Sequence, residues 1–189
     1  MSAIEGDRVT AVFKDLNPEE KAFFDAVTYN PTGIMHYQID REPSDYMTFF
    51  DQATADTIAV YQTEKGDRKE GRVHQVFAQL SPSAVAAATQ SGQQADLHSL
   101  ISERLRILYP DIEADIQDSH GQWIDRMLPL FYVGYLNILH NFLTNRKMKR
   151  QNIYFCGDYL SQALVTGAAH SGFRAAADIA RDWQDNKEP

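Results

Sequence analysis

The residues best placed to do chemistry lie in one stretch, NIYFCGDYLSQALVTGAAHSGFRAAADIARDW, residues 152–183. Ile153-Tyr154-Phe155-Cys156 reads as a short buried strand, and Gly157 lets the chain turn where a Cβ would obstruct it. Asp158 then stands at the carboxyl end of that strand, where open α/β sheets place their ligand crevices. A carboxylate there accepts hydrogen bonds from ribose-like or ribityl hydroxyls. After an eight-residue excursion, Thr166 can cap a helix beginning at Gly167. The first N–H groups of such a helix lack internal partners and the helix dipole makes that end electropositive, so it suits a phosphate or an electron-rich carbonyl. Small residues at 167, 168, 171, 172, 175 and 176 let either a flat ring or a packed sheet come close, and spacing alone leaves both occupants open.

Other reactive side chains are less organised. The single cysteine, Cys156, excludes an internal disulfide and reads as a small buried hydrophobe. The six histidines are scattered, so no metal site is expected. His170 reads as a surface or half-buried helix residue, and the basic run Arg146–Arg150 as a solvated loop. A net charge of −8 argues against nucleic acid or an anionic membrane as partner. No apolar run approaches the roughly 20 residues a membrane span requires. The opening MSAIEGDRVT lacks the charged start and apolar core of a signal peptide, which sets the expectation of a cytoplasmic protein.

The elements that must hold this stretch can be read in outline. Asp7–Phe13, rich in Val and Thr, predicts a strand. Asn17-Pro18-Glu19-Glu20 is a helix start, with an N-cap, a proline at the first helical position and acids at the positive end, and its helix is expected to reach about Ala26. Strands are predicted over Gly33–Asp40, Tyr46–Phe50, Thr57–Thr63 and Val73–Leu80, with the charged hairpin loop Glu64–Gly71 between the last two. Ser81–Ser91 and Ala95–Tyr109 predict helices, the second striped by Leu97, Leu100, Ile101, Leu105 and Leu108. Ile112–Trp123 predicts another strand and Tyr132–Leu143 another helix. Short connections between residues 33 and 80 favour antiparallel pairing. The fold class expected is therefore mixed α/β: an antiparallel or mixed sheet with flanking helices, plus a strand-turn-helix unit. Residues 1–26 with 130–189 form one expected lobe and 27–129 the other.

The stretch NIYFCGDY…VTGAAHSGFRAAADIA resembles the C-terminal flavin-binding segment of the flavin-containing amine oxidoreductase superfamily, which includes amine oxidases, protoporphyrinogen oxidases and phytoene-desaturase-like enzymes. The match runs through Gly157, Asp158, Thr166, Gly167, Ala168, Ser171, Gly172, Ala175 and Ala176. QWIDRMLPLFYVGY, with Trp123, Pro129 and Gly134, is similar to a weaker family pattern before the last helix. DRVTAVFKDLNPEEKAFFDAVTY is similar to the segment that re-enters the flavin domain. The family's N-terminal half carries a Gly-x-Gly-x-x-Gly loop for the FAD diphosphate. None of the ten glycines here stands two residues from another, so the chain resembles the C-terminal half alone.

The resemblance implies an FAD-dependent, amine-oxidase-like oxidoreductase acting on a small molecule whose C–H bond gives up a hydride equivalent. It implies cofactor contacts at Gly157, Asp158, Thr166, Gly167, Ala168, Ala169 and Ser171, with backbone N–H groups of 167–169 facing the flavin's pyrimidine edge. Trp123, Tyr132 and Tyr135 become candidate walls on the substrate side. No catalytic acid or base is nominated. The absent diphosphate loop leaves three readings: a subunit completed by a second protein chain that carries the FAD-binding half, a piece of a longer protein, or a flavin-free interaction or scaffold protein derived from the fold. Apolar faces left bare without that half predict a hetero-oligomer or self-association.

Overall fold

The computed structural model describes residues 4–43, 46–50, 57–67, 73–93, 96–108, 110, 112–147 and 153–185. It is a mixed α/β structure that divides into two compact units, Met1–Asn30 with Arg126–Pro189, and Pro31–Asp125.

The second unit is built on a sheet ordered β2-β3-β4-β1-β5, from β1 (Tyr29–Ile39), β2 (Tyr46–Phe49), β3 (Ile58–Glu64), β4 (His74–Leu80) and β5 (Ile116–Pro129). β1 pairs antiparallel with β4 in the register Tyr37 to Val76, and β3 pairs antiparallel with both β2 and β4. Alternation decides which face is buried. Met35, Tyr37 and Ile39 of β1 and Val76, Ala78 and Leu80 of β4 point into the core. Helices α3 (Pro82–Ser91), α4 (Leu97–Leu108) and the single turn α5 (Ile112–Asp115) supply Val85, Leu97, Ile101, Leu105 and Ile112 to the same core. Ser81 caps α3 by accepting the Ala84 N–H, and Gly92 ends it in the left-handed conformation that favours glycine. The stripe predicted on α4 is buried at Leu97, Ile101 and Leu105 and partly at Leu100; the Leu108 side chain lies outside the described residues. So does half of the predicted 64–71 loop, residues 68–71.

The first unit is helical. Its helix α2 (Pro18–Asp25) carries a complete capping box: Asn17 Oδ1 accepts the Glu20 N–H, and the Glu20 carboxylate accepts the Asn17 N–H. Such a cap contributes about 1 kcal/mol and is purely local, which is why its Asn17 half was legible in sequence. α2 buries Phe23 and Phe24 against α6 (Tyr135–Lys147), where Phe23 stacks on Phe142 with ring centroids 4.0 Å apart. Gly134, at φ 97°, supplies the left-handed residue from which α6 starts, three residues after the predicted Tyr132.

Three expectations fail here. Asp7–Phe13 is not a strand: Gly6–Arg8 is a 3₁₀ turn and Val9–Val12 is α1, closed by the bond from Phe13 N–H to Val9 O. Val9 is fully buried and Asp7 pairs with Arg126 at 2.7 Å, so tertiary contacts override the β-branched composition. The predicted strand 112–123 opens as helix α5 and becomes strand only at Ile116. Ile153–Cys156 has only an isolated bridge at Phe155, because a strand exists through its neighbour and these residues find no sheet among the described ones. The basic run is corrected in part as well. Arg146 is largely buried, pairs with Glu20, donates to Ile153 O and lies over the Phe155 ring at 4.8 Å; the rest of that run lies outside the described side chains.

Candidate functional site

Ser171 organises the stretch that carries the chemistry. It is fully buried in helix α7 (Val165–Asp185), where its Oγ donates to Ala168 O at 2.8 Å and accepts the Gly157 N–H at 2.8 Å. One hydroxyl thereby ties the Gly157-Asp158 turn to the start of the helix. A Cβ on Gly157 would fall 2.3 Å from the Tyr159 ring, so an aromatic side chain of this same chain fills that space. A Cβ on Gly167 would fall 2.1 Å from the Gln162 carbonyl oxygen. The small residues at 157, 167 and 171 are thus required by the protein's own backbone and side chains. Gly172 differs: nothing lies within 4 Å of the place where its Cβ would stand.

The helix begins two residues before the predicted start. Thr166 is exposed within the first turn rather than capping it, and Ala168 N–H already bonds Leu164 O at 3.1 Å. The N–H groups without an intrahelical acceptor are therefore those of Val165, Thr166 and Gly167, not those of 167–169. Ala168 and Ala169 present exposed methyl groups on the first two turns. α7 buries Gly167, Ser171 and Ala175 on one side. Its other side leaves Val165, Phe173 and Trp183 exposed, at 89%, 77% and 58% of their surface.

Asp158 is half-buried in the short 3₁₀ turn Asp158–Leu160, and its Oδ1 accepts the Tyr159 N–H at 2.9 Å. Burial raises its pKa above the usual carboxyl value, with the hydrogen bond opposing. The folded state then holds the Asp158 proton more tightly than the unfolded chain. Ionisation costs folding free energy above the folded pKa and nothing below the unfolded one. Asp158→Asn is accordingly expected to raise the melting temperature at neutral pH, the gain fading as pH falls through the carboxyl range. An equal effect at pH 3 and pH 7 in a thermal melt series would refute this.

Two tyrosines beside Asp158 were not nominated from sequence. Tyr29 Oη accepts the Gly6 N–H at 3.0 Å, and burial pushes its pKa up to about 12. The Tyr159 hydroxyl is buried without a hydrogen-bond partner among the described residues. Only its place directly after Gly-Asp hinted at a role for Tyr159; for Tyr29 no local signal exists, since a 23-residue separation brings it to Gly6.

Of the candidate substrate walls, Tyr135 is fully buried and donates to Tyr159 O at 2.7 Å, so it is core of the first unit. Tyr132 is partly exposed and donates to Ala26 O. Trp123 belongs to the second unit, where it lines an open cavity of about 380 Å³ with Met35, Leu97, His98 and Ser119. His98 Nδ1 there stands 3.4 Å from the buried Tyr37 hydroxyl. Among the described residues no group of His, Cys, Asp and Glu could hold a metal ion, and no helix is long and apolar enough to cross a membrane.

The sequence profile of the flavin-containing amine oxidoreductases matches residues 8–180. The chain belongs to that family. Among solved structures it is similar to one from Exiguobacterium sp. 255-15 named "Putative protoporphyrinogen oxidase", with a TM-score of 0.64 at 13% sequence identity, covering 96% of this chain. The chain spans 40% of the length of that protein, and at this identity the likeness is one of fold. No curated protein matches the chain in sequence.

Membership of the family implies a flavin, and the residues fit one in part. Asp158 is a half-buried carboxylate that makes no ion pair among the described residues, and ligand hydroxyls would meet its acceptor capacity. The exposed first turn of α7 at Val165 and Thr166, the exposed methyls of Ala168 and Ala169 and the open space at Gly172 leave room for an electron-rich edge, whereas Gly167 is buried against Gln162. Gly157 and Ser171 are already engaged by the chain itself and serve to position Asp158.

Proposed function

We propose that this chain supplies the C-terminal part of the flavin site and the substrate lobe of an FAD-dependent, amine-oxidase-like oxidoreductase. A dinucleotide-binding half on a second protein chain completes it. The observation that carries this reading is the orientation of α7. Its small and polar stripe is buried while Val165, in the first turn, and Phe173 face outward, exposed among the described residues. Apolar surface in that position is costly unless another protein segment covers it. Ten glycines without Gly-x-Gly spacing are consistent with the diphosphate loop lying elsewhere.

Bound FAD would supply the hydride-accepting chemistry. The residues of this chain would hold it: Asp158 on ribityl or phosphate-proximal hydroxyls, and the exposed first turn of α7 at Val165 and Thr166 against the electron-rich edge of the ring. Thr166, Ala168 and Ala169 would line the approach. Trp123 and its cavity would take up the substrate side.

A second reading, a flavin-free interaction or scaffold protein, draws on the internal use of Gly157, Gly167 and Ser171. Absorption spectra separate the two. The chain purified alone is expected to bind FAD weakly or not at all. Co-purified with a chain carrying the Gly-x-Gly-x-x-Gly half, it is expected to show near-stoichiometric flavin absorbance. Stoichiometric FAD on a monomer of this chain alone would overturn the two-chain arrangement, and a stable complex free of flavin would favour the scaffold reading.

A further inference from the structure

The open cavity of the second unit carries a hydrogen-bond donor whose direction the buried core fixes. Tyr37, on β1, is fully buried, and among the described residues its hydroxyl meets only His98 Nδ1, at 3.4 Å. Burial pushes the Tyr37 pKa up to about 12, so the hydroxyl keeps its proton at neutral pH. That proton needs an acceptor. A hydrogen on Nδ1 would leave the Tyr37 proton buried and unpaired, which is costly. Nδ1 is therefore the acceptor, and the neutral ring carries its hydrogen on Nε2. With Nδ1 turned to the core, Nε2–H points outward from the far side of the ring. His98 is exposed and lines the cavity.

The neighbours of His98 set the rest of the ligand. Asp96, just before α4, lines the same cavity and accepts the Ser99 N–H at 3.2 Å. It makes no ion pair among the described residues, so its charge repels an anion. Trp123, on β5, is half-buried, and its Nε1–H is already donated to Asp125 at 3.0 Å. Its share of the cavity is therefore aromatic surface. Met35 and Leu97 close the bottom and are too buried to offer contact area. The volume of about 380 Å³ stands at the lower end of small-molecule sites, which run from about 300 to 1,000 Å³.

We propose that this cavity binds an uncharged ring compound bearing a carbonyl oxygen, with the oxygen on His98 Nε2–H and the ring on Trp123. A donor calls for an acceptor, and Asp96 excludes a carboxylate as that acceptor. An ammonium would set its own N–H groups against Nε2–H and leave that donor unmet. The assignment rests on the oxidoreductase reading in calling this ligand the substrate, whereas the binding itself requires no flavin.

Acetophenone is the probe, titrated by NMR into the 189-residue chain without flavin, beside benzoate and benzylammonium. The titrations run at about pH 8, where an ordinary imidazole is neutral. Saturable acetophenone binding that shifts the Trp123 ring signals is expected. Benzoate should bind on the order of tenfold more weakly, and benzylammonium no more tightly than acetophenone. His98→Asn places an acceptor where Nδ1 stood, so Tyr37 keeps its partner while the outward N–H is lost. Its acetophenone affinity is expected to fall on the order of fivefold. The ¹⁵N signals of the His98 ring should report hydrogen on Nε2, a readout on the unaltered chain that carries the test should His98→Asn fail to fold. Absent saturable binding, equal binding of benzoate, tighter binding of benzylammonium, full affinity in His98→Asn, or hydrogen on Nδ1 would each overturn the proposal. An assembled complex that holds flavin while acetophenone fails to bind rejects this ligand and leaves the oxidoreductase reading standing. Acetophenone binding in a complex that takes up no flavin upholds the site and rejects that reading.

Discussion

Gly167→Ala is expected to lower the unfolding free energy by about 3 kcal/mol, read from urea denaturation of the purified chain. The new methyl would fall 2.1 Å from a backbone carbonyl oxygen, that of Gln162, and a backbone cannot swing aside as a flexible side-chain end can. Alanine's better helix propensity offsets the loss by about 1 kcal/mol at most. Gly172→Ala, one turn further along the same helix, meets nothing within 4 Å and is expected to be neutral or stabilising by up to about 1 kcal/mol. The pair therefore sorts the small residues of α7 into those the fold needs and those it leaves open. Equal destabilisation by both substitutions would contradict that sorting. If Gly172 faces flavin in the assembled complex, its alanine variant should lose flavin affinity while keeping its melting temperature.

Ala168→Asp is the substitution with the largest expected effect on the cofactor. Ala168 is exposed on the first turns of α7, so the variant is expected to fold with little change in melting temperature. In the assembled complex its carboxylate would be desolvated beside the electron-rich edge and phosphates of FAD. It is expected to weaken flavin binding by about 1–3 kcal/mol, roughly a 5- to 150-fold rise in Kd. Flavin titration of wild-type and variant complexes measures it. Unchanged affinity would remove the α7 entrance from the cofactor site, and a lowered melting temperature with unchanged affinity would assign these residues to packing alone.

What could be read along the chain was what short-range chemistry settles. The Asn17 N-cap with its following acids and the apolar stripe of α4 at Leu97, Ile101 and Leu105 depend on residues three or four apart, and both stand where they were predicted; the return bond from Glu20 and the capping role of Ser81 were added by the structure. The antiparallel strands between residues 33 and 80 were legible because alternation and short connections leave few other pairings, although the first of them begins at Tyr29. The chain's own residues also pointed to its family through the Gly157–Ala176 pattern, and the family profile bears that out.

Long-range contact decided the rest. Val9–Val12 has the composition of a strand, but no strand among the described residues pairs with it and burial of Val9 favours a helical turn. Arg146 lies in a basic run that reads as solvated, yet Glu20, 126 residues away, draws it into the aromatic core. What approaches the small residues of α7 is not settled by local sequence. Gln162, Tyr159 and Ser171 occupy that space at Gly157 and Gly167, while Gly172 and the methyls of Ala168 and Ala169 stay open. Residue type determined that something could come close. Only the path of the backbone determined where the chain had already done so, because a clash of 2 Å is a property of coordinates and not of composition.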